Sequence, residues 1–288
     1  MCGGTTTANY MATIHREATE TLCDIAEERG QRALIGKVCM NRNGFGGYVE
    51  KSAKDSLNET RIYLSGVISK KLSLVEPVVV PRFAVSCDRA LMVGLGEIAK
   101  EYDARIHTHL AESKPEVRMC DSPMQRWALG CVNLKMRLEA EFTQPRPILA
   151  DPCDPGTTFL DLQVAWMREL EPWADSYTHV YEATGLLTDK TVLAHCIYLD
   201  DDEVRAIRES GAGVAHCPNS NCSIRSGNMD ARRMKGENVR VGLGSDCSAG
   251  YSPSVLENMR FAVATSNQVH IRRGEDGVDY RDIHSDGG

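Results

Sequence analysis

The sequence predicts a parallel α/β protein and, within that class, a (β/α) barrel in preference to an open sheet. Strand-like and helix-like segments alternate along 288 residues without a run of hairpins. One strand candidate, 76–86, carries Val78, Val79 and Val80 in succession, a pattern that implies burial on both faces, as in a parallel sheet. Polar groups with chemical potential fall at the ends of several strands, where a barrel converges its side chains on one mouth. Seven strands are legible, one short of eight.

Taken in order, residues 1–15 are small and β-branched after two glycines, so a strand is expected to begin near Thr5. Residues 17–29 space Leu22, Ile25 and Ala26 as a helix, and Gly30 stops it. A buried strand follows at 33–40. A loop with three glycines spans 41–47, and an amphipathic helix over 52–71 carries Leu57, Ile62, Leu64 and Ile68. The third strand is 76–86, and the next helix, 87–102, has Asp88 placed to favour its start. The fourth strand is the stretch RIHTHLAES, 105–113. Strands are then expected at 190–199, 212–221 and 240–246, with helices at 201–210, near 229–237, and from 254 to about 270.

One region breaks this rhythm. Residues 117–163 hold five of the eleven prolines and no clear periodicity. His109 and His195 are 86 residues apart, whereas the two units from His195 to Asp246 span 51. Without 117–163 the first interval falls to 39, an ordinary crossover. The expectation is one barrel domain over 1–288 with a non-native insertion at 117–163. Val117 and Arg118 are compatible with a splice-donor codon pair and Gln163 with an acceptor, as a translated intron would require.

A net charge of −7 and a pI near 5.7 argue against a nucleic-acid or anionic-membrane footprint, both of which need clustered Lys and Arg. No apolar run approaches the roughly 20 residues that span a bilayer. The eleven cysteines are odd in number and lack CxxC pairing, so reduced, mostly buried thiols in a cytoplasmic protein are expected. GLGSDCSAG is not read as a dinucleotide loop, because its third glycine is misplaced.

The strand ends offer Arg82 and Phe83, His109 and Glu112, His195, and Asp246, with His216 and Asn219 between the last two. Two imidazoles and a carboxylate at one mouth suit zinc or iron with water in an open position. A metal brings the pKa of such water toward neutrality, and Glu112 is placed to move the proton. His216 with Cys217 and Cys222 is read as core and loop chemistry rather than a second metal site.

The strings GTTTANYMATIH, IGKVCM, VPRFAVSC, HTHLAES, LAHCIYL, AHCPNSN and GLGSDCSAGYS, in this order, resemble the guanine deaminase branch of the metal-dependent amidohydrolase superfamily. The resemblance implies a TIM-like (β/α)8 barrel of the amidohydrolase type. It implies one Zn2+ ion with His109, His195 and Asp246 as ligands, His195 having the alternative of orienting the hydrolytic water. It makes Glu112, His195 and Asp246 catalytic, with Glu112 protonating a ring nitrogen. Arg82, Phe83, His109 and Glu112 would bind the purine, and the reaction would release ammonia and xanthine. A homodimer acting on a small molecule, without nucleic acid or membrane, is the implied form.

The family's first barrel strand, with an HxH ligand pair, and its flanking small β domain are expected to be missing, so the barrel is expected to be incomplete. HTHLAES holds His107 as well as His109, but only the second matches the family's ligand, which leaves His107 in the barrel or behind the site. The alternatives are an aminohydrolase for another ring, such as a pterin or triazine, and an inactive fragment.

Overall fold

A computed structural model describes residues 3–113 and 173–273. The expected insertion at 117–163 lies outside the described residues. Every strand pairing among the described residues is parallel. Nine short strands make up the seven expected. They are β1 (Thr7–Met11), β2 (Arg32–Gly36) continued by β3 (Val38–Cys39), β4 (Val75–Pro77) continued by β5 (Val80–Pro81), β6 (Ile106–Leu110), β7 (Thr191–His195), β8 (Gly213–His216) and β9 (Arg240–Leu243).

The third strand breaks after Pro77 and ends at Pro81, two residues with no N–H to donate. Val78 N still donates to Ile35 O at 2.8 Å and Val79 N to Arg105 O at 2.9 Å, so the ladder carries on from β2 to β6 across the break. Val78, Val79 and Val80 are all buried, as the apolar run implies. Val78 and Val80 pack with Val38 and Met40, while Val79 faces the main core with Ile35, Tyr63, Leu95 and Ile106. The order β1, β2/β3, β4/β5, β6, β7, β8, β9 leaves β1 and β9 as edges among the described residues. Val241 and Leu243 on β9 are accordingly exposed.

In a flat sheet, three strand spacings would separate β6 from β9 by about 14 Å. Carboxylate oxygens just past these two strands nevertheless come within 4.8 Å of each other, so the sheet curls toward a barrel.

The helices are α1 (Arg16–Glu28), α2 (Ala53–Ser69), α3 (Arg89–Glu101), α4 (Tyr177–Ala183), α5 (Asp201–Ser210), α6 (Pro218–Ser223), α7 (Ala231–Gly236) and α8 (Val255–Arg272). Their starts follow their caps. Ser52 accepts from Asp55 N, Asp88 from Leu91 N, and Ser254 from Glu257 N. Asp200 and Glu203 form a capping box on α5, which ends at Gly211 in the left-handed conformation. α3 buries Leu91, Met92, Leu95, Ile98 and Ala99, the stripe expected of a helix laid on a sheet. No helix of the described residues is long and apolar enough to cross a membrane.

Most of the expected strands end a few residues early, two of them at prolines. The strand at 212–221 stops at His216, because Pro218 opens the helical turn α6, where its fixed φ suits the helix and its missing N–H would have had no intrahelical partner. The strand at 76–86 stops at Pro81, and Ala84–Ser86 forms a 3-10 turn.

A buried ion pair secures the glycine-bearing loop. Lys37 Nζ meets Glu50 Oε1 at 2.5 Å and Val38 O at 3.1 Å, and Glu50 Oε2 accepts from Met40 N at 3.0 Å. The loop then donates from Arg42 and Asn43 to the carbonyls of Ala84 and Val85, which holds the segment after β5.

α3 and α4 approach closely at Gly96, where a Cβ would collide with the carbonyl oxygen of Thr184. Alanine gains about 1 kcal/mol over glycine in a helix, but overpacking costs about 1–3 kcal/mol and a backbone carbonyl cannot swing aside. Gly96→Ala should therefore lower the unfolding free energy in urea; equal or greater stability would show that the two helices are not so tightly apposed.

Candidate metal centre

Alternation along β6 turns His107 and His109 to one face and Thr108 and Leu110 to the other. The rings of His107 and His109 stack with centroids 6.4 Å apart. His109 donates to a single acceptor, Arg82 O, from both its backbone N at 3.2 Å and its Nδ1 at 2.6 Å. A carbonyl can only accept, so the ring proton sits on Nδ1 and the Nε2 lone pair is free. On the opposite face, the buried Tyr181 of α4 donates to His109 O at 2.7 Å and accepts from Ala84 N at 2.9 Å. One phenol thus spans β6 and the segment carrying Arg82 and Phe83.

His195 ends β7. Its Nδ1 donates to Asn221 Oδ1 at 3.0 Å, which leaves Nε2 as the free nitrogen here too. That atom is buried without a hydrogen-bond partner among the described residues. It lies 3.6 Å from Glu112 Oε1 and 4.0 Å from Asp246 Oδ2. Ser220 Oγ donates to Asp246 Oδ2 at 2.5 Å. The ring of His109 lies parallel to that of His195, 5.3 Å away.

The backbone is bent to make this meeting possible. Ala111, His195, Cys196 and Asp246 all have φ between 45° and 72°. Left-handed backbone costs about 1–2 kcal/mol per non-glycine residue, and such residues cluster where geometry serves a site.

Glu112, His195 and Asp246 have ligand atoms all within 4.8 Å of one another. This trio shares His195 and Asp246 with the expected ligand set. His109 stands beside it, stacked on His195, and Glu112 takes the third place. Phe83 meets the His109 ring edge-on at 6.3 Å, and the Arg82 guanidinium lies 5.4 Å from the Phe83 ring centre, so the three groups adjoin.

The centre fits a cation. Burial and the neighbouring His195 hold His109 below its ordinary pKa, and burial does the same to His195, so both imidazoles stay neutral as ligands must. Each has its Nδ1 proton fixed by an oxygen acceptor, the arrangement that aims Nε2 at a metal.

His216 ends β8 fully buried, with neither ring nitrogen hydrogen-bonded among the described residues. Together with Cys217 and Cys222 it forms no metal-holding group there. Cys23, Cys39, Cys87, Cys196 and Cys217 are buried free thiols, while Cys222 and Cys247 are exposed. Sequence reasoning passed over Ser220, Asn221 and Tyr181. The first two had a signal, since a polar Asn-Ser-Asn run following Pro218 suits a helical turn rather than a strand.

The chain matches the Amidohydrolase family over residues 1–126 and 164–284. It belongs to that family. It is 36% identical over 271 residues to the guanine deaminase of Dictyostelium discoideum, covering 94% of this chain and 50% of that protein. Identity to the guanine deaminase of Homo sapiens is 36% over 270 residues, 94% of this chain and 49% of that one. The chain spans about half the length of the curated relatives it matches. Among solved structures, guanine deaminase from C. acetobutylicum, with bound guanine in the active site, aligns with a TM-score of 0.75 at 26% identity, over 95% of this chain and 54% of that one. The expected fold, an incomplete TIM-like barrel of the amidohydrolase type, is the fold observed.

Burial lowers the pKa of His216 to about 4 and that of His107 to about 3. An unfolded histidine titrates near 6.5. Below that pH the unfolded chain takes up protons that the folded one refuses, so stability is lost as pH falls toward 4, at about 1.4 kcal/mol per unit for each group. Between pH 6.5 and 5, urea unfolding with chelator present should show the wild type losing about 2 kcal/mol more than His216→Leu. Parallel acid limbs would mean that His216 is not buried neutral.

Proposed function

We propose that this chain carries the catalytic face of a zinc-dependent guanine deaminase, which hydrolyses guanine to xanthine and ammonia. The observation that carries this reading is the buried His195 Nε2, without a hydrogen-bond partner among the described residues, facing two carboxylates beside His109. The similarity to guanine deaminases over 94% of the chain supports the choice of substrate.

In this reading His109, His195 and Asp246 hold the ion. A bound divalent cation supplies Lewis-acid activation of a water for attack. Arg82 donates from its guanidinium to purine acceptors and Phe83 covers the planar base, acting together because their side chains adjoin. Glu112, 3.6 Å from His195 Nε2 and partly exposed at the mouth, delivers a proton to a ring nitrogen. Asp246 accepts the proton of the attacking water through the carboxylate that Ser220 steadies. A cytoplasmic location is proposed on the cysteine usage, and a homodimer on the resemblance alone.

The test is guanine loss and xanthine formation followed by ultraviolet absorbance on zinc-loaded protein. Turnover at one zinc per chain is expected, whereas substoichiometric zinc without turnover contradicts the reading. Glu112→Gln should keep its zinc and lose about 10²–10⁴-fold in kcat; a near-normal rate would remove Glu112 from the chemistry.

The same proposal treats 117–163 as a non-native insertion. Its support is the family match, which leaves out 127–163, and the crossover of ordinary length that remains without the segment. Sequencing the mature transcript decides it, and a message that retains the segment sinks the idea.

A further inference from the structure

We infer that Ser220 and Asn221, on the single turn α6, are positioning residues that together orient His195 and Asp246 across three strands. The inference rests on the metal-centre reading above and adds to it the device that sets the ligand geometry. β8 runs between β7 and β9. The turn that leaves β8 can therefore reach sideways to both neighbours. Asn221 Oδ1 takes the Nδ1 proton of His195 at the end of β7, and Ser220 Oγ donates to Asp246 Oδ2 just past β9.

The bland alternative is that these two side chains only cap their own helix. Their bonds argue otherwise. The N-cap of α6 is Cys217, which makes no side-chain cap bond, and the recorded Oγ and Oδ1 bonds of Ser220 and Asn221 leave the helix for the two ligands. The turn is stiff enough to serve as a template. Asn221 N donates to Cys217 O at 2.9 Å, Ile224 N to Ser220 O at 3.0 Å, and Ser226 N to Asn221 O at 3.0 Å. Ser220 and Asn221 are at most 1% exposed, so water does not compete for these bonds.

The loop carrying Asp246 is folded onto the same turn. Gly250 N donates to Asp246 O at 2.7 Å, and a Cβ on Gly250 would collide with Ser245 O and lie 3.3 Å from Ser220 N. Only a residue without a side chain lets the loop close there. Both ligands are held in strained left-handed backbone, which on its own would not keep their side chains aimed.

The experiment reads the His195 tautomer in the metal-free protein by long-range proton–nitrogen NMR with 15N-histidine, alongside Co2+ affinity by chelator competition. The wild type should show the Nδ1–H form. Asn221→Ala should give a mixture of tautomers, and Asn221→Asp, which keeps an acceptor, should restore Nδ1–H. Co2+ affinity should fall about 10–100-fold in Asn221→Ala and in Ser220→Ala, with Asn221→Asp and Ser220→Thr close to wild type. An Nε2–H wild type, or an Asn221→Ala protein with unchanged tautomer and affinity, overturns the inference. If the tautomer results hold but the wild type binds no Co2+, the metal centre fails while the orienting contact stands.

Discussion

The convergence of two carboxylates on a neutral, buried imidazole nitrogen is the constraint around which this structure is arranged. Two carboxylate groups whose oxygens lie within 4.8 Å of each other repel when both are charged. His195 cannot relieve this, since burial keeps it uncharged. Its Nε2 has no hydrogen-bond partner among the described residues, and its backbone is held left-handed at further cost. Such an arrangement is unfavourable by itself and becomes favourable around a divalent cation, which offsets the carboxylate repulsion and accepts the imidazole lone pair together.

Much of the surrounding architecture resists relaxation of this site. Tyr181 ties His109 to the segment after β5 from the side opposite the ring. The Lys37–Glu50 pair holds the loop whose Arg42 and Asn43 fix that segment in turn. A buried ion pair is weak evidence for stability, because desolvation of its charges offsets their attraction. Its visible consequence is geometric: it keeps Arg82 and Phe83 beside the His109 ring. Arg82, Phe83 and the His109 ring are thus held side by side, and Ser220 and Asn221 bridge His195 and Asp246.

The strands were readable because their apolar runs are short, β-branched and bounded by turn residues, and Val78–Val80 revealed burial on both faces. The cap at Asp88 was a local signal of the same kind. What the sequence concealed was long-range or two-sided. Nothing local distinguishes β9, exposed at an edge, from the buried strands it resembles, because exposure depends on the neighbour. The end of β8 has a local mark in Pro218, which opens a helical turn of polar residues, Asn219, Ser220 and Asn221. Periodicity puts His107 and His109 on one face, but only the Arg82 carbonyl, 27 residues away, distinguishes the histidine whose Nε2 is presented. Tyr181, 72 residues from His109, carries no local mark of its contact.

The central claim is that the mouth of this barrel is a metal centre built on His195. Isothermal titration of the purified, metal-free chain with Zn2+ tests it most directly, with circular dichroism to confirm that each variant keeps its fold. The account predicts saturable binding of one ion per chain, lost in His195→Ala and in Asp246→Ala while the fold persists. Absence of saturable binding in the wild type, or full binding retained by His195→Ala, would contradict it.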